Sequence, residues 1–240
     1  MRWRMATYVM TDIHGEYDKL MKMLYKIKFS SADNLLILGD NVDRGSKNMA
    51  VLEFIHNTPN VESLLGNHEL MMLNTLRYTS YPSMEVGNWF YNGGNVTYAE
   101  LCEYINQYGE QKAYAILKDC SNWKFYKQLT VNGMKFLGIH AGYWMSSVER
   151  YRSVYLGEPE RLLQETSDIE KVWLRDEFYS YAGIPGVTTL FGHTPTKHLH
   201  GELKIWHDPV YKDKINLDCG AAYSGHLACL RLDDMQEFYV

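Results

Sequence analysis

Thr11-Asp12-Ile13-His14-Gly15, Gly39-Asp40-Asn41-Val42-Asp43-Arg44-Gly45 and Gly66-Asn67-His68-Glu69 are three polar switches within Ala6–Leu70, each close behind an apolar run. The runs Ala6–Met10, Leu35–Leu38 and Val61–Leu65 read as buried strands. Polar clusters that follow such strands gather at the carboxyl edge of one sheet, where open α/β folds place their sites. The pattern predicts an α/β fold. A carboxylate and an imidazole two residues apart on an extended turn, as Asp12 and His14 are, can bind one divalent ion. A carboxylate after the next strand, Asp40, can bridge that ion to a second. These residue types therefore point to a two-metal centre.

Outward from this stretch, Tyr17, Leu20, Met21, Leu24 and Ile27 recur at i, i+3, i+4 and i+7, which predicts an amphipathic helix returning the chain to the second strand. Met49, Leu52 and Ile55 give a second helix that stops near Pro59. Strand, helix, strand, helix, strand implies parallel pairing. From Glu69 to about Trp123, Met71, Met72 and Leu76, and later Val96, Leu101, Tyr104, Ile105 and Tyr108, predict two helical stretches around a loop over Thr79–Asn95. The Met and Tyr stripes are read as core packing. The second half returns to strands at Met134–Ile139, Val187–Phe191, Lys214–Leu217 and Leu227–Leu232, and His140 and His193 fall at the ends of the first two. Tyr143–Asp176 is the most irregular part, with Glu158-Pro159 opening a short helix, and is expected to form a wall of a cleft.

The 240 residues, 46% hydrophobic and 14% aromatic, are expected to form one domain, 1–240, without a linker. A net charge of −5 gives no general electrostatic case for nucleic acid or an acidic membrane surface. Cys102, Cys120, Cys219 and Cys229 form no Cys-x-x-Cys pair and read as reduced thiols. With no signal-peptide pattern and no apolar stretch of about 18 residues to span a bilayer, a cytoplasmic protein is expected.

The series Asp12-x-His14-Gly15, Gly39-Asp40-x-x-Asp43-Arg44-Gly45, Gly66-Asn67-His68-Glu69, His140-Ala141-Gly142 and Gly192-His193-Thr194 resembles the phosphoprotein phosphatase family of calcineurin-like metallophosphoesterases. The order is the family's across most of the chain, and the likeness is to its small bacterial and phage, lambda-type, members. The resemblance implies a four-layer α-β-β-α sandwich with two mixed sheets. It also implies two divalent ions, most readily Mn²⁺, with Fe or Zn²⁺ as other choices that carboxylate, amide and imidazole ligands allow. Asp12, His14 and Asp40 would hold the first ion, and Asp40, Asn67, His140 and His193 the second. A hydroxide between ions roughly 3.5–4 Å apart would attack phosphorus in line. By the same resemblance His68 protonates the leaving alkoxide with Asp43 holding its imidazole, and Arg44 and Arg175, the latter in Trp173-Leu174-Arg175, offer guanidinium donors to phosphate.

Two departures bear on substrate. Many family members carry Gly where Thr11 stands, which removes no ligand. Leu65 stands where many protein phosphatases have a phosphate-clamping Arg, a loss of roughly 1.5–3 kcal/mol of charge-assisted contact. An apolar residue there is also similar to the symmetrical diadenosine tetraphosphate hydrolases. Asp218-Cys219-Gly220-Ala221 resembles an Asp-Thr-Gly element of both branches, and Cys219 is read as a small buried residue rather than a nucleophile. His56 and His226 stand apart from these motifs, and the His198-x-His200 pair with His207, which could suggest another metal site, lies in a Gly- and Pro-containing loop with no family counterpart and is read as solvated. The leading expectation is a metal-dependent serine/threonine-type protein phosphatase, extending to phosphotyrosine. Its alternatives are a hydrolase of diadenosine tetraphosphate or other small phosphorylated metabolites, and a non-catalytic metal-bound binding module. The intact Asp43, His68 and Arg44 speak against the last.

Overall fold

The structure, a computed structural model, describes residues 5–77, 84–144, 158–223 and 225–240. The three apolar runs form β1 (Thr7–Met10), β2 (Asn34–Ile37) and β3 (Val61–Ser63), paired in parallel. Between them run α1 (Tyr17–Lys26) and α2 (Asn48–Asn57). After the helices α3 (Asn67–Arg77), α4 (Met84–Trp89), α5 (Asn95–Tyr108) and α6 (Glu110–Cys120), the chain builds a second sheet. That sheet holds β4 (Tyr126–Val131), β5 (Met134–Ile139), β6 (Val187–Phe191), β7 (Trp206–His207) and β8 (Lys214–Asn216), in the order β4-β5-β6-β8-β7. β9 (Ala228–Arg231) and β10 (Gln236–Tyr239) return to the first sheet, giving β10-β9-β1-β2-β3. Each sheet mixes parallel and antiparallel pairs.

The layers follow from strand alternation, which sends successive side chains to opposite faces. Tyr8, Met10, Leu35 and Ile37 pack with Leu20 and Met23 of α1 and Val51 and Ile55 of α2. Their neighbours Val9, Leu36 and Leu38 join Phe136, Leu190, Ile215 and Leu230 in the layer between the sheets. On the far side, Leu137, Ile139 and Phe191 pack with Leu162 and Leu163 of a helix over Pro159–Glu165 and with Phe178. This is the expected α-β-β-α sandwich. Gly138 on β5 faces inward, and a Cβ there would lie 2.9 Å from Leu38 Cδ2 and 3.0 Å from Leu36 Cδ2, so the missing side chain lets the sheets approach.

Local pattern and structure part company in two places. The Thr79–Asn95 loop is helical from Met84, through α4 and a π-helical turn over Phe90–Gly94 kinked at Gly93 (φ 99°), and residues 78–83 lie outside the described ones. Burial of Trp89 in the helical lobe overrides the turn propensity of Asn92-Gly93-Gly94. Strands β4, β7 and β10 were not expected. β4 could have been read from Asn132-Gly133, the two-residue hairpin turn that places Val131 opposite Met134. The cleft-wall expectation over Tyr143–Asp176 falls partly on residues 145–157, outside the described ones, while Glu158-Pro159 does open a helix with Pro at its first turn.

Beyond β2 and β3 the chain leaves the sheet in tight loops, and Glu69 holds them together. Its carboxylate, fully buried, accepts from the backbone N–H groups of Asp40 (2.9 Å), Asn41 (2.7 Å) and Gly66 (2.9 Å). Both oxygens are needed, so a carboxamide of the same shape must turn N–H against N–H. Glu69→Gln is expected to lose about 1–3 kcal/mol of stability by urea unfolding. An unchanged midpoint would show that Glu69 does not organise these loops.

Candidate active site

Six of the ten described non-glycine residues in left-handed backbone are Asp12 (φ 50°), His14 (47°), Asp40 (55°), Asp43 (75°), Arg44 (70°) and His193 (66°). Such conformations cost about 1–3 kcal/mol each and persist where surrounding contacts enforce them. Here the loops after β1 and β2 are stitched by Asp12 N–H to Gly39 O (3.0 Å), His14 N–H to Asp40 O (2.9 Å) and Gly15 N–H to Asn41 O (2.8 Å). Two motif glycines permit close approach to carboxylates. A Cβ on Gly66 would lie 2.2 Å from Asp40 Oδ1, and one on Gly192 would lie 2.1 Å from Asp12 Oδ2.

Asp40 is where these loops converge. Its Oδ2 lies 3.3 Å from His140 Nε2, 3.7 Å from His14 Nε2 and 3.8 Å from His68 Nε2, while Oδ1 accepts the His68 backbone N–H at 3.0 Å. Asn67 Oδ1 lies 3.0 Å from both His140 Nε2 and His193 Nδ1. Asp12 Oδ1 is 3.9 Å from His14 Nε2, and its Oδ2 accepts from Thr11 Oγ1 (2.6 Å) and the His193 N–H (3.1 Å). All six residues expected from the sequence as metal ligands are thus brought together and buried. Two sets of donor atoms with the spacing of a cation site, His14 with Asp40 and His68, and Asp40 with His140 and His193, share Asp40.

The donor chemistry suits divalent ions. His14 Nδ1 donates to Val42 O (2.8 Å) and His140 Nδ1 to Leu38 O (2.9 Å), which aims each Nε2 into the site. Burial holds His14 and His193 well below the usual imidazole range, keeping them neutral, the form a metal requires. The buried His193 Nε2 has no hydrogen-bond partner among the described residues. Burial alone would raise Asp40, but His140 and His68 outweigh it and hold that carboxyl well below its ordinary range. Burial pushes His140 down, yet Asp40 prevails and carries it up to about 9. Burial pushes Asp12 up, and Asp218, 4% exposed beneath the site, is pushed up strongly. A buried concentration of carboxylates with too little positive charge is what bound cations relieve.

Beside the ligand cluster, His68 Nδ1 donates to Asp43 Oδ2 at 2.6 Å, and both side chains are buried. His68 belongs geometrically to one of the two donor sets, but its Nδ1 is committed to Asp43, and its Nε2 faces Arg44 Nη2 at 3.0 Å. Arg44 Nη1 donates to His14 Nε2 (2.6 Å), and the guanidinium lies 5.3 Å from the ring centre of Tyr223, an exposed side chain. Arg175 lies by the other end of the cluster, donating to Thr194 Oγ1 (2.9 Å) and His193 O (3.4 Å). Leu65 is 5% exposed and sits in the apolar cluster of Val42, Met72 and Trp89, so its position carries no charge to the cleft.

Sequence reading singled out no role for Glu69, Trp89 or Thr97, the last two of which contact Asp43 from the helical lobe. No local signal marks them, because their partner lies 46 and 54 residues away. Cys219 is 2% exposed and burial pushes its thiol up to about 12, as befits a packing residue. His207 pairs with Glu237 and His200 with Thr196 O, and neither they nor His56, His198 or His226 join a metal-capable group among the described residues.

Known proteins resemble this chain in sequence and in fold. The signature of the calcineurin-like phosphoesterases matches residues 5–229. Serine/threonine-protein phosphatase 2 of Salmonella typhimurium is 28% identical over 233 residues, 94% of this chain and 92% of that one. The symmetrical bis(5'-nucleosyl)-tetraphosphatase of Actinobacillus pleuropneumoniae is 42% identical, but over 74 residues, 30% of this chain and 27% of that one. Among solved structures, a provisionally assigned diadenosine tetraphosphatase superposes with a TM-score of 0.64 at 17% identity, covering 100% of this chain and 94% of the other, a likeness of fold. The family match runs from β1 to β9, through every loop that meets at Asp40, and the chain belongs to the calcineurin-like phosphoesterases.

Proposed function

We propose that this phosphoesterase is a metal-dependent phosphomonoesterase acting on phosphoserine and phosphothreonine, and on phosphotyrosine, in proteins. The observation that carries the reading is the buried Asp43–His68 pair, 2.6 Å apart, with His68 Nε2 directed to the same space as Asp40, His14 and Arg44. In this reading Asp12, His14 and Asp40 hold one divalent ion, and Asp40, Asn67, His140 and His193 a second. Mn²⁺ is the first choice, with Fe or Zn²⁺ compatible. Bound there, the ions would supply Lewis acidity toward phosphate and an acidified water.

The chain's own residues do the rest. A cation taking His14 Nε2 would free Arg44 Nη1, and with Nη2 already beside His68 the guanidinium would offer both donors to the oxygens of a phosphoryl group. Arg175 offers a second guanidinium from the opposite end of the cluster. His68 Nε2 gives a proton to the departing ester oxygen, and Asp43 fixes the imidazole that does so. The near full-length likeness to a serine/threonine phosphatase supports a protein substrate. A second reading, hydrolysis of diadenosine tetraphosphate, draws on Leu65 and on the short, stronger likeness to symmetrical tetraphosphatases.

Turnover by Mn²⁺-reconstituted protein, offered a phosphoserine peptide and diadenosine tetraphosphate at equal concentration, separates the readings. Faster phosphate release from the peptide is expected, and preference for the dinucleotide would reverse the assignment. His68→Asn is expected to lower kcat on the peptide by about 10²–10⁴-fold with its metal content intact, and full retention of turnover would remove His68 as the acid. Asp40→Asn takes charge from the ligand shared by both ions. It is expected to lower metal content after dialysis from two ions per chain, measured by elemental analysis, and undiminished binding would contradict the shared-ligand role.

A further inference from the structure

The helical lobe reaches the site through two side chains. Trp89 Nε1 donates to Asp43 Oδ2 at 2.9 Å and to Oδ1 at 3.1 Å, and Thr97 Oγ1 donates to Oδ1 at 2.5 Å. Thr97 Oγ1 in turn accepts the Asp43 backbone N–H at 3.0 Å. Trp89, Thr97 and Asp43 are all 0% exposed. No water competes for these bonds, so the carboxylate has its direction set by Trp89, Thr97 and His68.

The connection between the two donors is built to keep them there. The π-helical turn Phe90–Gly94 brings Trp89 and Thr97 to the same carboxylate. A Cβ on Gly94 would lie 2.2 Å from Trp89 Nε1, so only glycine lets the backbone cross the indole. Gly93, at φ 99°, accepts the Arg44 backbone N–H at 3.4 Å, so the same turn touches both Asp43 and Arg44. Asp43 and Arg44 themselves stand in left-handed backbone at φ 75° and 70°.

We infer that Trp89 and Thr97 are positioning residues for proton transfer: by clamping Asp43 they fix the ring of His68 so that Nε2 meets the departing oxygen. This rests on the phosphomonoesterase reading. In that step a water oxygen bonds to phosphorus, the ester P–O bond breaks, and the proton on His68 Nε2 goes to the departing oxygen. The clamp therefore matters most when that oxygen is strongly basic, as in an alkyl ester such as phosphoserine. It matters little when it departs unaided as a stable phenolate, as from p-nitrophenyl phosphate.

The test compares the two esters in Thr97→Val, which keeps the shape and removes the hydroxyl, and in Trp89→Phe, which removes the indole N–H. In either variant kcat on a phosphoserine peptide is expected to fall about 10–100-fold with KM little changed, and kcat on p-nitrophenyl phosphate by no more than about threefold. Thr97→Ser is expected to restore the peptide rate. Equal losses on both esters, a loss in KM alone, reduced metal content in both variants, or failure of Thr97→Ser to rescue would each overturn the positioning role. If one variant fails to fold, the other decides. A reconstituted wild-type protein that turns over neither ester would instead refute the phosphomonoesterase reading, and the inference with it.

Discussion

Asp40, 2% exposed at the end of β2, has three imidazole nitrogens within 3.8 Å of one carboxylate oxygen and a backbone N–H on the other. A carboxylate taken this far from water is costly unless opposite charge and hydrogen bonds surround it. The fold brings imidazoles to it from three directions, His14 from the loop after β1, His68 from the start of α3, and His140 from the end of β5 in the other sheet. Of these, His140 is raised against its burial to about 9 by the pairing with Asp40. The approach of the two sheets, eased by Gly138, and the strained loops around Asp40 are thus parts of one arrangement.

The strain has a visible counterweight. Left-handed residues at Asp12, His14, Asp40, Asp43 and Arg44 are held by backbone bonds between the first two loops, by Glu69 beneath Asp40 and Asn41, and by Thr97 on the Asp43 N–H. Rigid loops of this kind fix donors before any ligand arrives, which is the condition for electrostatic stabilisation of a charged transition state. The helical lobe that begins at Asn67 is therefore more than a cover, since it places Asn67, His68, Glu69, Trp89 and Thr97 around Asp40 and Asp43.

Each half of the site contributes a different property. The first sheet brings carboxylates and His14 on loops that follow parallel strands, and the second brings His140 and His193 at the ends of β5 and β6, which pair in parallel and so deliver both rings at the same edge. Arg44, beside His14, and Arg175, beside Thr194, are both exposed and add guanidinium groups next to the buried cluster.

Much of this was legible in the chain itself. Short apolar runs closed by Asp-x-His, Gly-Asp and Gly-Asn-His-Glu define strands, loops and ligand types together, because a buried strand end is where an unpaired polar group must find a partner. The strands at Met134–Ile139 and Val187–Phe191 could be named from their apolar patterns, and the six candidate ligands from the order of the motifs and their resemblance to the family. The contacts of Glu69, Trp89 and Thr97 could not. Trp89 and Thr97 contact Asp43 across 46 and 54 residues, and in sequence Trp89 falls in the expected loop and Thr97 just beyond it, either side of a glycine pair. Leu65 was expected at the end of a buried run, and its packing with Val42 and Met72 agrees, while its bearing on substrate was open. Sequence determined which polar groups stand at the strand ends as candidates for the chemistry, because strand ends and residue types are local properties. Tertiary structure decided which groups hold them in place, because a hydrogen bond to a buried carboxylate depends on where distant segments meet and on nothing in the neighbouring residues.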